Sequence, residues 1–230
     1  MTHALPTAIM RPVVPVHGTD RTFPVRRIYC VGKNYRDHAA EMGEPDAAPV
    51  FFGKPADAVF VPQPGADAVR YPLATDELHY EAELVVALGA GGARMTEAQA
   101  AGSVFGIAAG CDLTRRDRQR EAKAKGEPWD VAKGLDQGAV LGPLGPVDRP
   151  PAGGAIRLSV NGEVRQDARL EDMVLSVPAL IAALSGFFAL APGDLVFTGT
   201  PAGVGPLAVG DAVEVLVENC VPCRFGIAPR

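Results

Sequence analysis

The chain has 230 residues, 47% hydrophobic and 21% charged, enough to bury a full core as one domain with a short extension. Its net charge of −5 argues against nucleic acid or an anionic membrane as a partner. The longest nearly apolar run, residues 178–191, is too short to span a bilayer, which takes about 20 residues.

Residues 1–22 are Pro-rich and without clear periodicity. They read as an N-terminal extension to a catalytic domain over residues 23–230. The first 25 residues have no apolar segment of the signal-peptide kind, so a cytoplasmic protein is expected. Arg27 to Val31 predicts a strand, followed by a short helix from Asn34 to Met42 that Gly43 can end. Val50–Phe52 and Val59–Val61 predict further short strands. His79 to Leu88 predicts one long strand. Thr96 can cap a helix through Ala101, and Val104 to Asp112 predicts an apolar strand.

Thr114 to Lys125 predicts a polar helix that stops at Gly126, its basic residues forming a solvated face. Ile156 to Val164 predicts a hairpin around Asn161-Gly162, the pair a type I′ turn prefers. Ser176 can cap a buried helix with Pro178 in its first turn. The last 40 residues alternate Gly-Asp turns with strands such as Leu195–Thr198 and Ala212–Glu218. Four cysteines do not make a disulfide framework in a chain this long. Cys220 and Cys223 form one CxxC with no second pair to complete a zinc site, so reduced, mostly buried thiols are expected. The fold class expected is mainly β with a few helices (α+β), as one domain of mixed sheets.

Side chains two apart on a strand share a face. Glu81 and Glu83 therefore project together, with Tyr80, Ala82 and Leu84 opposite. Two ionised carboxylates side by side on a buried strand repel, and each is costly to bury unless a cation joins them. Asp112, ending another apolar strand, can add a third oxygen ligand. An all-oxygen set suits Mg²⁺, Mn²⁺ or Ca²⁺. His79 falls on the same strand face, so the spacing also permits a His-plus-carboxylate site for iron or zinc. The competing reading puts the two glutamates on a solvated face and Asp112 at a helix cap.

Five strings in order extend this reading. They are Val31-Gly32-Lys33-Asn34-Tyr35 with His38 and Glu41; Phe52-Gly53-Lys54-Pro55; His79-Tyr80-Glu81-Ala82-Glu83-Leu84; Asp112-Leu113-Thr114-Arg115-Arg116-Asp117 with Pro128-Trp129 and Ala132-Lys133; and Thr198-Gly199-Thr200-Pro201 with Gly203-Val204-Gly205. Together they resemble the fumarylacetoacetate hydrolase family over about residues 23 to 226.

The resemblance implies a mixed β-roll, usually a homodimer, acting on small acylpyruvate-type keto acids. It implies Mg²⁺ or Mn²⁺ on Glu81, Glu83 and Asp112, and removes His79 from the ligands. It implies His38 and Glu41 as a catalytic dyad, with Lys133 stabilising an oxyanion. Lys54, Arg116, Gln119 and Thr200 match residues that face the substrate.

Within the family, the strings around Lys54 and Arg116 look most like fumarylpyruvate hydrolases. Those enzymes cleave the ring-opened product of gentisate catabolism to fumarate and pyruvate. The expected activity is hydrolysis of a C–C bond in a 2,4-dioxo acid. The alternatives are an oxaloacetate decarboxylase, a 2-hydroxyhepta-2,4-diene-1,7-dioate isomerase/decarboxylase, or a non-catalytic keto-acid or metal binder.

Overall fold

Short apolar runs rich in Val, Ile and Leu, punctuated by Gly, Pro and Asn turns, favour strands over helices along most of the chain. A computed structural model describes residues 11–43, 48–63 and 65–230. Residues 1–10 of the expected extension lie outside that set. Among the described residues the strands form four sheets. The largest has the spatial order Val50–Lys54, Arg27–Gly32, Asp194–Phe197, Ala82–Leu88, Val104–Asp112, Ala139–Leu141, Val59–Phe60, with Gly145–Pro146 also on Val104–Asp112. A second runs Glu163–Arg169, Ala155–Val160, Ala212–Val217, Cys223–Ala228, Ala68–Arg70. Parallel and antiparallel pairs occur in both, so the expected mixed β-roll is found.

Alternation decides which face each residue covers. Leu84, Val86 and Leu88 pack with Ile156, Leu158 and Val215 between the two large sheets. Val85 and Ala87 face the other way, onto Ile28, Leu195, Phe197 and the buried Val14 and Val16. Val14 lies within the strand Val13–Pro15 and Val16 directly after it; that strand pairs with Thr22–Pro24, and the pair covers that face. A three-residue strand is too short for its periodicity to be read, which is why it hides in the Pro-rich lead-in.

Local signals place the helices. Thr96 caps Glu97–Gly102 in a full capping box with Gln99, and Ser176 caps Val177–Ser185. Gly126 ends Arg116–Lys125 in the left-handed region, φ 68°. The predicted start of that helix at Thr114 is corrected, because Thr114–Arg115 pairs as a strand with Leu78–Tyr80. Asn161 and Gly162 both take positive φ, 53° and 82°, as a type I′ turn demands. The residues after helix Val177–Ser185 are not all buried as expected: Phe187 is 74% exposed. All four cysteines are free, and burial pushes the Cys220 and Cys223 thiols up to about 12. Among the described residues no helix is long and apolar enough to cross a membrane.

Candidate metal centre

The expected long strand from His79 to Leu88 is broken at Glu81. Leu78–Tyr80 joins a three-stranded sheet with Thr114–Arg115 and Gly205–Leu207, while Ala82–Leu88 lies at the centre of the large sheet. Backbone groups at the break are satisfied from elsewhere. The Asp112 N–H donates to the Glu81 carbonyl at 2.9 Å, and the Ala82 N–H donates to Gln166 Oε1 at 2.9 Å. Glu81 therefore sits at the junction of the two sheets, with Glu83 two residues on in the central strand and Asp112 at the end of the neighbouring strand.

Glu81, Glu83 and Asp112 are 5%, 1% and 0% exposed, which removes the solvated-face reading. Each offers an oxygen within 4.8 Å of the others. His79 stands outside this group: its Nδ1 accepts from Arg116 Nε at 3.3 Å and its Nε2 lies 3.3 Å from Glu77.

Three cations close on the same carboxylates. Lys133 Nζ donates to Glu81 Oε2 (2.7 Å), Asp112 Oδ2 (2.9 Å) and Thr114 Oγ1 (2.7 Å), with the Phe52 ring centroid 5.0 Å away. Arg116 Nη2 donates to Glu81 Oε1 at 2.6 Å, and its Nη1 to Gln119 Oε1 at 2.5 Å. Lys54 Nζ stands 2.7 Å from Asp112 Oδ1, but its hydrogen bonds run to the carbonyls of Leu113 (3.0 Å) and Lys133. Asp112 Oδ1 is therefore attracted by a charge without an aligned hydrogen bond. The helix Arg116–Lys125 is not a wholly solvated polar face, since Arg116 and Gln119 turn inward and are buried.

The two glutamates differ in kind. Burial pulls the Glu81 carboxyl up, but Lys133 and then Arg116 outweigh it and hold the group well below the usual carboxylate range. Glu83 accepts a hydrogen bond from the Gly199 N–H at 2.7 Å. Burial, then the neighbouring charges of Asp112 and Glu81, push its carboxyl well above the usual range. A carboxyl driven toward neutrality beside an under-coordinated carboxylate oxygen is the strain a cation relieves. The donor set is all oxygen, so the site fits a hard divalent ion.

Beside this cluster the helix Arg36–Glu41 carries His38 and Glu41, three apart and on one face. His38 Nδ1 lies 3.1 Å from Glu41 Oε2, and the carboxylate partner assigns the ring proton to Nδ1. Burial lowers the His38 pKa despite the raising effects of Glu81 and Glu41. Glu41 is held from the other side by the Gly203 N–H at 3.1 Å. Gly203 has φ 97° and abuts the Arg165 carbonyl, so a side chain there would be strained and would clash. Thr200 is 3% exposed and its Oγ1 accepts from Gln166 Nε2 at 2.8 Å, which leaves its own O–H free to donate.

Two residues of consequence had no sequence-derived role. Gln166, 1% exposed, satisfies the break at Ala82 and holds both Thr200 and the Pro201 carbonyl. It sits in a polar hairpin strand whose pattern does not single it out. Asn34 is fully buried and donates to the carbonyls of Thr198 and Leu175 while accepting from the Leu175 N–H. Its place in the Lys33-Asn34-Tyr35 string was the one signal available.

Comparison with known proteins agrees with this architecture. The family description "Fumarylacetoacetate (FAA) hydrolase C-terminal" matches residues 27–228. The mitochondrial oxaloacetate tautomerase of Mus musculus is 39% identical over 205 residues, covering 88% of this chain and 91% of that protein. The fumarylpyruvate hydrolase of a Ralstonia species is 41% identical over 162 residues, covering 70% and 84%. A crystal structure of fumarylpyruvate hydrolase from Pseudomonas aeruginosa, in complex with Mn²⁺ and pyruvate, is similar with a TM-score of 0.95 at 42% identity. It covers 99% of this chain and 100% of its own.

Proposed function

The chain belongs to the fumarylacetoacetate hydrolase family of metal-dependent enzymes, and we propose that it hydrolyses a C–C bond in a 2,4-dioxo acid, fumarylpyruvate above all. The products are fumarate and pyruvate, as in gentisate-type aromatic catabolism. Mg²⁺ or Mn²⁺ on Glu81, Glu83 and Asp112 supplies Lewis acidity to the 2-oxo acid end when bound. We place the activity in the cytoplasm, in a homodimer; the exposed aromatic edge at Phe187 and Phe188 supports association between copies.

The observation that carries hydrolysis, rather than enolate chemistry alone, is the His38–Glu41 pair. Glu41 accepts a hydrogen bond from Nδ1–H, so Nε2 of His38 is the free basic atom, and burial keeps the ring neutral near pH 7. His38 takes a proton from water as its oxygen bonds to C4 of the substrate. Lys133, kept charged by Asp112 and Glu81, faces the oxyanion that forms at C4. The C3–C4 bond then breaks, its electron pair leaves with C3 as the enolate, and the proton from His38 passes to C3. Lys54, Arg116 and Gln119 orient carboxylates and carbonyls, and Thr200 donates its hydroxyl proton to a carboxylate.

The similarity to oxaloacetate tautomerases at nearly equal identity favours a second reading, keto–enol conversion of oxaloacetate on the same cluster. That reaction needs proton transfer at C3 but no water attack. Rates on fumarylpyruvate, acetylpyruvate and oxaloacetate separate the two. Higher kcat/KM for fumarylpyruvate cleavage supports hydrolysis; oxaloacetate tautomerisation without cleavage of either acylpyruvate overturns it.

A further inference from the structure

Side chains of the short strand Thr114–Arg115 leave it in opposite directions, as alternation requires. Thr114 is buried against Lys133 and Glu81. Arg115 is half-buried on the wall of a separate cavity of about 470 Å³, which shares no residue with the carboxylate cluster or the dyad. That volume suits a small organic ligand.

Three arginines line this cavity, Arg70, Arg115 and Arg230, against one carboxylate, Asp136. In a chain of net charge −5 this is a local reversal of sign. Arg230 is already engaged: it donates to the carbonyls of Pro72 and Thr75, lies 3.2 Å from Asp76 and stacks over Tyr71. The other two differ. Among the described residues neither Arg70 nor Arg115 has a carboxylate within ion-pair distance. Arg115 donates from Nε to the Leu73 carbonyl (2.9 Å) and from Nη1 to the Val131 carbonyl (2.6 Å), which leaves Nη2 without an acceptor. Arg70 is exposed and its guanidinium makes no hydrogen bond. Its backbone N–H donates to Gln137 Oε1 at 2.9 Å, so the Gln137 amide keeps its own N–H groups to donate.

A second cavity gives the contrast. Beside Tyr29 and Phe188, Arg26, Arg27 and Lys54 also line one space, but Arg26 is paired with Asp194 and Lys54 with Asp112. Cations at a cavity wall are therefore not in themselves the signal; two guanidiniums with open donors and no counter-ion are. Next to them Pro72 and Leu73, the latter 70% exposed, make an apolar wall.

We propose that this cavity is a second binding site, for a small organic carboxylate with an apolar, planar body. Arg70 and Arg115 take the carboxylate, which their forked donors match, and Gln137 adds an amide donor. The body lies against Pro72 and Leu73. Inorganic phosphate matches the charge but leaves that wall uncovered.

Titration calorimetry on the whole chain with Mg²⁺ present tests this, with benzoate, acetate and inorganic phosphate as probes. Benzoate should bind about tenfold or more tightly than acetate, which has the same charge and almost no body. Arg70→Ala removes no hydrogen bond or ion pair, so the fold should keep its thermal melt while benzoate binding weakens about tenfold. Arg115→Lys keeps the charge but loses the fork, and should weaken benzoate as well. No benzoate binding to the wild type, or equal binding to the wild type and both folded variants, overturns the site. Acetate or phosphate binding as tightly as benzoate overturns the ligand class.

Discussion

The carboxylate cluster and the His38–Glu41 helix are neighbours built to different standards. The cluster sits where two sheets hand over to each other, on strands whose side chains are almost wholly buried. Every charge in it is fixed by at least one partner from a distant part of the chain, Lys133 by three. The dyad sits on a six-residue helix with no side-chain cap, and its carboxylate is 36% exposed. Among the described residues Glu41 is tied beyond its own helix by the Gly203 amide. A cation needs a rigid, dry cradle to be worth binding, whereas the dyad reaches from its buried base His38 out to a carboxylate, Glu41, at the solvent. The two regions divide the work accordingly.

Breaking the cradle should have the largest effect. Glu83→Gln keeps an oxygen to accept from Gly199 and removes no salt bridge, so the fold should survive while Mn²⁺ binding and turnover disappear. Asp112→Asn should lose both and also destabilise, because removing one partner of a buried pair costs about 3–5 kcal/mol. Calorimetry and thermal melts on the two variants read the difference; retained metal affinity in Glu83→Gln would contradict the ligand assignment.

Breaking the dyad should cost less and more selectively. His38→Ala should lower fumarylpyruvate hydrolysis by roughly 10²–10⁴-fold and leave Mn²⁺ affinity unchanged. Oxaloacetate keto–enol conversion should be largely spared, and equal loss of both activities would count against a water-activating role. A smaller effect is expected at the joint between the regions. Gln166→Leu strands the Ala82 N–H and the Pro201 carbonyl, at about 1–3 kcal/mol in a denaturant titration. Because Thr200 also loses its support, KM should rise more than kcat falls.

The smallest signature is in pH. A general base works in its neutral form, and burial lowers the His38 pKa below its ordinary 6.5. Rate should therefore rise with pH through an apparent pKa below 6.5 and be flat around neutrality. A limb at or above 6.5 in kcat/KM would show that the buried imidazole is not the titrating base.

How much of this was legible beforehand follows from what periodicity can encode. Alternation on apolar strands brought Glu81, Glu83 and Asp112 forward as a candidate set but left the solvated-face reading open, and their burial decides between the two. The type I′ turn at Asn161-Gly162 and the caps at Thr96 and Ser176 could be read because each depends on one or two adjacent residues. The break at Glu81 could not, since it depends on Gln166 and on short strands from three separate segments. The inward turn of Arg116 was hidden for the same reason: a guanidinium beside a buried carboxylate looks, in sequence, like any basic residue on a polar helix. Spacing alone also left His79 open as a ligand; the resemblance takes it off the set, and its hydrogen bond from Arg116 agrees.

The central claim, that the three buried carboxylates hold the ion on which C–C hydrolysis depends, is tested most directly by metal removal and return. Fumarylpyruvate is given to the protein as purified, after EDTA and dialysis, and after adding back Mg²⁺ or Mn²⁺, with fumarate and pyruvate both measured. The account predicts equimolar fumarate and pyruvate, loss of both on stripping, and recovery on return of either ion. Cleavage that persists undiminished in the stripped protein, or no cleavage with either ion restored, would contradict it.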